Sequence, residues 1–280
     1  LCYFKYTNFF YEMLAPLWHG QFEPLDIFLP VGISFFTFQS LSYTIDVYRR
    51  DLKPLTNLLD YVFYVSFFPQ LVAGPIVRAR DFIPQIRQPL FVSSEMFGQG
   101  IFFIVSGLFK KAVISDYISV NFVERIFDNP GLYSGLENLF GVYGYALQIY
   151  CDFSGYSDMA IGIALLLGFR FPLNFDSPYK SDSVTDFWHR WHITLGTWMK
   201  DYVFYPVTLS KWMGKFGKWG KKVFGKKTGR TLPICLANLI VFFVVGVWHG
   251  AAGSILYTVC TMVLSLLSAD LWQSITETGK

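Results

Sequence analysis

The chain has 280 residues, 53% of them apolar, 20% aromatic and only 15% charged, against roughly 25% charged in an ordinary soluble domain. That balance excludes a disordered, collagen-like or disulfide-scaffold protein, and a net charge of only +3 does not suggest a nucleic-acid partner, which would need a dense basic face. The charge is nonetheless uneven: eight of the 23 basic residues fall between Lys211 and Arg230 with no acidic residue among them, and apolar mass beside one basic segment points to a membrane.

In chain order, Leu1 to Phe10 reads as the tail of a helix entered midway, without the charged start of a signal peptide. The WHG triplet at His19 follows Pro16 and precedes a polar turn, which favours a surface role. Ile27 to Ile45 gives 19 uncharged residues ending before Arg49 and Arg50, a good membrane span despite Pro30. Tyr61 to Val77, broken by Pro69, Gly74 and Pro75, and Met96 to Phe109, only 14 residues long, read as re-entrant or interfacial segments that must be buried in protein. Asn138 to Cys151 and Met159 to Phe169 flank the polar stretch Asp152 to Asp158, which reads either as a break between two helices or as a polar face lining a cavity.

The stretch Phe187 to Tyr205, with Trp188, Trp191 and Trp198, has the aromatic composition of a membrane interface. It leads into the Lys-rich segment 211–230, read as a loop and placed in the cytoplasm by the positive-inside rule. Thr231 to Ala269 carries no charge over 39 residues; as one helix it would run to roughly 58 Å, twice the hydrocarbon thickness. Two elements are therefore predicted, with the break between Gly246 and Gly253. The last residues, Ser274 to Lys280, stop soon after a span. Cys2, Cys151, Cys235 and Cys260 form no CxxC pair and read as small buried hydrophobes.

Chemistry centres on the histidines. His189 and His192 are spaced to share one face if their segment is helical. His249 lies at the predicted break, and an ionisable group at membrane depth is a functional candidate by default. Three chemistries compete. Zinc on HxxH plus His249 lacks an HExxH helix, and di-iron oxidases need more than four histidines. Acyl transfer suits a neutral imidazole that takes a proton from an attacking hydroxyl, and no GxSxG elbow offers a serine acyl-enzyme instead. A transport relay would use Asp152, Asp158 and the histidines, without a visible inverted repeat to support it.

Five stretches in order resemble one family: LPVGISFFTFQSLSYTIDVYR at 29–49, FPQLVAGPIVR at 68–78, YCDFSGYSDMAIGIALLLGF at 150–169, DFWHRWHITLGTWMKDYVFYP at 186–206 and VWHGA at 247–251. The chain resembles the membrane-bound O-acyltransferases (MBOAT), and within them the bacterial alginate O-acetyltransferase membrane-component type. The resemblance implies an all-α, polytopic transmembrane fold with re-entrant or interfacial helices around a central tunnel. It implies one transmembrane domain over residues 1–280, truncated at both ends.

His249 matches the family's catalytic histidine and His192 its second histidine. His189 stands where relatives carry Arg or another polar residue and is left out of the catalytic set. Asp152, Asp158, Asn174 and Asp186 are candidates for supporting hydrogen bonds, and Trp188, Trp191 and Trp248 for the tunnel wall. No metal and no bound cofactor are implied. The acyl donor is a cytoplasmic thioester, acetyl-coenzyme A or an acyl carrier protein. The expected partners are membrane lipid and an extracellular or periplasmic glycan O-acetyltransferase, in the bacterial inner membrane. Acetyl is the expected group; D-alanyl transfer to teichoic acid, or transport without chemistry, is the alternative.

Overall fold

The computed structural model describes residues 2–18, 23–28 and 30–250, without the side chains of Cys2, Trp18, Lys227 and Thr228. His19, Cys260 and the second element predicted beyond Gly253 lie outside the described residues. Within them the chain is all-helical, with no strand. The α-helices are α1 (Cys2–Leu14), α2 (Ile33–Arg49), α3 (Leu58–Ser66), α4 (Ala79–Ile86), α5 (Ser94–Leu108), α6 (Asp116–Ile118), α7 (Glu124–Asp128), α8 (Gly135–Leu166), α9 (Val184–Arg190), α10 (Ile193–Met199), α11 (Tyr205–Thr208) and α12 (Lys211–His249).

Several boundaries follow from local chemistry. Asn57, Ser93, Ser134 and Ser210 cap the starts of α3, α5, α8 and α12, each side-chain oxygen accepting from a first-turn amide. At Ser134 the capping box is complete, because Glu137 accepts from the Ser134 amide and hydroxyl. Those two donors hold the Glu137 carboxyl below its ordinary range. The run Ile27 to Ile45 becomes helical only at Ile33, after Pro30 and Gly32 with φ 76. Tyr61 to Val77 breaks where predicted: α3 stops at Ser66, and Pro69 sits in a single 3-10 turn, Phe68–Gln70. Met96 to Phe109 continues through π-helical turns at Phe109–Ser115 and Ser119–Val123, so that 94–128 is one helical run.

One of two open readings is removed and one expectation is corrected. The polar stretch Asp152 to Asp158 is no break: α8 passes through it without interruption for 32 residues. The Lys-rich segment is no loop. It is helical from Lys211, and only Gly225, at φ 85 and ψ 171, leaves helical geometry. The two arms, 211–224 and 226–249, fold back on each other, and a Cβ on Gly229 would overlap the Lys221 backbone.

The chain divides into two compact units, one of residues 1–34, 182–187 and 196–280, the other of 35–181 and 188–195. In the second unit an aromatic core gathers Tyr64, Phe67, Val77, Phe82, Ile83, Ala164 and Phe169. Phe82 stacks on Phe169 with ring centroids 5.1 Å apart, and the buried Tyr64 hydroxyl donates to the Val77 carbonyl at 3.0 Å. Beside it, α5 and α8 run antiparallel with their backbones in contact. Gly100 faces Gly162 and Gly107 faces Gly155; a Cβ on Gly107 or Gly162 would lie 2.5 Å from the opposing carbonyl oxygen. Both pairs are seven residues apart, two helical turns, so one seam of glycines permits the approach.

In the first unit, α1 lies against the end of α12. Lys5 Nζ donates to the Trp248 carbonyl at 2.7 Å, and the Tyr6 hydroxyl donates to that of Val247. These carbonyls have no partner inside the helix, and an ammonium at a helix C-terminus also meets the negative end of its dipole. The second arm holds Gly229–His249, the one described segment long and apolar enough to cross a membrane, with mean hydropathy 2.2. It ends at His249, inside the predicted break, where Gly250 leaves the helix at φ 156.

Candidate functional site

The helical face expected to hold both His189 and His192 does not form. Helix α9 stops at Arg190 and α10 restarts at Ile193. Between them His192 takes φ 45, a left-handed conformation that costs a non-glycine residue about 1–2 kcal/mol. The turn leaves His189 exposed and His192 buried. The 170–181 segment is pinned alongside: Ile193 N donates to the Asn174 carbonyl at 2.9 Å, and Asp176 N to the Arg190 carbonyl at 3.0 Å.

That pairing brings Asn174, 1% exposed, to His192. Asn174 Oδ1 lies 2.9 Å from His192 Nδ1 and accepts from the Thr194 hydroxyl at 2.9 Å. Asn174 Nδ2 donates to Ser157 Oγ at 3.0 Å, and Ser157 Oγ donates to the Ala73 carbonyl at 3.2 Å. Thr194 Oγ1 also accepts from Ile76 N at 3.0 Å.

These bonds have one consistent polarity. The Ala73 carbonyl only accepts, so the Ser157 proton points to it and the Ser157 oxygen receives the Asn174 amide. The Asn174 oxygen then faces His192, and an amide oxygen only accepts, so Nδ1 carries the ring proton. In the neutral ring the lone pair is therefore on Nε2, the form in which imidazole can accept a proton. Phe153 meets the ring edge-on at 4.7 Å and Phe175 lies parallel to it at 6.4 Å, and these walls hold its plane.

Trp191 belongs to the adjoining aromatic group, 5.2 Å from Phe175 and 6.2 Å from Tyr150 between ring centroids. Trp188 is half-buried. The carboxylates of Asp152 and Asp158 meet lysines rather than the imidazole: Asp158 pairs with Lys110 at 2.6 Å and Asp152 with Lys111 at 2.5 Å. Lys111 also pairs with Asp116 at 2.6 Å. With Gly155 midway between the two aspartates, these pairs sit on the seam joining α8 to the 94–128 run. Cys151 and Cys235 are buried free thiols.

In the first unit, His249 is the last residue of α12 and its ring lies 4.4 Å from that of Trp248. The Lys5 ammonium stands 5.7 Å from the Trp248 ring centroid, a cation–π distance, while bonding the same residue's carbonyl. Asp186 lies in this unit too, its amide donating to Ser183 Oγ at 3.1 Å. Among the described residues no three His, Cys, Asp or Glu side chains converge as a metal site would need.

Sequence reasoning named Asn174 and His192 but missed Ser157, Thr194, Phe153 and Phe175. Thr194 carries a local signal, two positions after the histidine in the fourth motif. Ser157 does not, because its partners are 17 and 84 positions away. Lys110 and Lys111, and Lys5 and Tyr6 at the end of α12, were missed for the same reason.

A family model described as the membrane-bound O-acyltransferase family matches residues 50–219. The chain is 36% identical over 277 residues to a peptidoglycan O-acetyltransferase of Helicobacter pylori, covering 90% of this chain and 49% of that protein. It is 37% identical over 255 residues to a probable alginate O-acetylase of Pseudomonas aeruginosa, covering 90% of this chain and 45% of that protein. A teichoic acid D-alanyltransferase of Bacillus subtilis is 32% identical over 227 residues, 79% of this chain and 54% of its own length. The chain thus spans about half the length of the curated relatives it matches.

Proposed function

Because this chain belongs to the membrane-bound O-acyltransferase family, we propose that it carries the acyl-transferring centre of a bacterial inner-membrane enzyme that O-acetylates an extracellular or periplasmic polysaccharide. The observation that carries this reading is the match to two proteins named as O-acetylating enzymes over 90% of the chain. The D-alanyltransferase is less similar over a smaller share, which favours acetyl over D-alanyl.

In this reading the donor is a thioester, acetyl-coenzyme A or an acyl carrier protein, presented from the cytoplasm. The thioester C–S bond breaks as the ester C–O bond forms. The acceptor proton passes to an imidazole and from it to the departing thiolate. His249 performs this step as the base; as an acyl relay its imidazole would instead form a C–N bond as the C–S bond breaks, and the acceptor oxygen would then form the C–O bond as the C–N bond breaks and the imidazole is released. His192, its Nε2 lone pair set by Asn174, orients donor or acceptor. Helices surround a tunnel in which Trp188, Trp191 and Trp248 form part of the wall, and short broken segments such as 61–77 re-enter the membrane buried in protein. The Lys-rich arm faces the cytoplasm. A secreted glycan O-acetyltransferase is the partner that receives the group.

The test is ester analysis of envelope glycan from cells carrying the full-length protein, comparing wild type with His249→Ala at matched membrane abundance. Acetate esters should disappear in the variant. Unchanged acetate with lost D-alanine would move the substrate to D-alanine, and no change in either ester would sink the acyl-transfer reading.

A further inference from the structure

Helix α1 has no part in the acyl-transfer reading, yet two of its side chains finish the helix that carries His249. The last carbonyls of α12 have no partners inside the helix, and three in succession are bonded from outside it. The Gly250 amide donates to the Gly246 carbonyl at 3.2 Å, the Tyr6 hydroxyl to that of Val247, and the Lys5 ammonium to that of Trp248 at 2.7 Å. The last two donors come from 241 and 243 positions away in the chain. Helix α1 is itself tied down. Asn8 Nδ2 donates to the Leu25 carbonyl at 3.0 Å and Asn8 Oδ1 accepts from the Leu25 amide at 3.0 Å. Phe9, edge-on at 6.3 Å, and Phe10, at 6.2 Å, brace the Tyr6 ring. All these residues belong to the first unit.

Lys5 meets Trp248 twice, at its carbonyl and, 5.7 Å from the ring centroid, at its indole. That indole lies 4.4 Å from the His249 ring. His192 has Asn174 to orient it, but among the described residues no hydrogen bond reaches the His249 ring. Its orientation within them is set by its own helical turn and by the Trp248 indole, and Lys5 holds both. Among the described residues no carboxylate pairs with Lys5: Glu12, the one acidic residue of α1, lies seven positions on, about two turns, and is exposed. The negative end of the α12 dipole balances the ammonium instead. A half-buried cation without a carboxylate costs more than an apolar side chain at the same place, so packing alone gives no reason for a lysine here. Bonding a carbonyl and facing an indole at once does, because an ammonium supplies both donors and charge.

We propose that Lys5, with Tyr6 beside it, is a positioning residue of the acyl-transfer centre, holding the last turn of α12 and the Trp248 indole so that His249 presents its imidazole in one orientation. This rests on the reading of His249 as the residue that performs the transfer. Misplacing a reacting group by about 1 Å costs up to about a hundredfold in rate. The loss falls on the chemical step rather than on binding, so it is read in kcat.

The experiment measures thiol release from an acetyl thioester by purified full-length protein with its partner transferase and glycan acceptor, at equal folded amount. Lys5→Met, which removes the ammonium and keeps an unbranched side chain, should lower kcat about tenfold or more with KM for the thioester unchanged. Tyr6→Phe removes only the bond to Val247 and should lower kcat about threefold; it carries the test if Lys5→Met does not fold. In protein with nitrogen-15-labelled histidine, the ring signal that His249→Ala abolishes should be single in the wild type. It should broaden or split in Lys5→Met, a change that a merely stabilising contact would not cause. Wild-type kcat in Lys5→Met, or in Tyr6→Phe where the Met variant does not fold, would overturn the proposal. So would an unaltered His249 signal in Lys5→Met, or a raised KM at unchanged kcat, which would make Lys5 a contact of the donor. Thiol release at the wild-type rate in His249→Ala would sink the acyl-transfer reading and the proposal with it. An inactive His249→Ala beside a fully active Lys5→Met would remove the proposal alone.

Discussion

At the scale of single residues, the information around His192 flows through hydrogen-bond polarity. Ser157 orients the Asn174 amide by donating to Ala73, Asn174 then sets the protonated nitrogen of His192, and Thr194 closes the network against Ile76 N. Thr194→Val leaves a buried amide and a buried amide oxygen each one bond short, which should cost about 1–3 kcal/mol of stability. Asn174→Ala should cost a similar amount and also free the imidazole to change tautomer. Thermal unfolding of the purified full-length variants checks the first. Nitrogen-15 shifts of His192 check the second: wild type should show Nδ1–H, and Asn174→Ala a mixture of tautomers. A wild-type spectrum in that variant would remove Asn174 from its positioning role. The residue types at 174 and 192 were legible from the sequence as candidates. The left-handed turn at His192 was not, because no glycine or asparagine marks it and the bonds that hold it come from the 170–181 segment.

At the scale of elements, the α5–α8 seam shows how a long-range partner can invert a local reading. Asp152 and Asp158 make their stretch look like a helix break because nothing nearby in sequence neutralises them. Their lysines stand 41 and 48 positions earlier, and once paired they let α8 continue. Backbone contact at the glycines sets the distance over which those pairs form. Gly155→Ala would place a Cβ 2.7 Å from the Gly107 carbonyl oxygen, and overpacking of this kind costs about 1–3 kcal/mol. Gly98→Ala, on α5 but with nothing within 4 Å of its Cβ, should instead gain up to about 1 kcal/mol from helix propensity. Opposite shifts of the unfolding midpoint are the expected result; equal shifts would mean the seam is not where the helices touch. The Lys-rich segment is the converse case. Its seven lysines and five glycines read as a solvated connection, but Gly217, Gly220 and Gly229 serve close packing of two helical arms and only Gly225 makes the turn.

For the whole molecule, the helical class is what the family resemblance implies, and the helix end at His249 follows from one charge-free run too long for a single span. The division into two compact units does not, since each is assembled from segments distant in sequence. His192 and His249 fall in different units, each with its own supporting residues: Asn174, Thr194 and Ser157 for one, Lys5 and Tyr6 for the other. Family membership supplies the chemistry these centres are proposed to serve. The most direct measurement of that claim is thiol release from an acetyl thioester by purified full-length protein with its partner transferase and glycan acceptor, wild type against His249→Ala at equal folded amount. The account predicts a loss of roughly a hundredfold or more in the variant. Thiol release at the wild-type rate would contradict it.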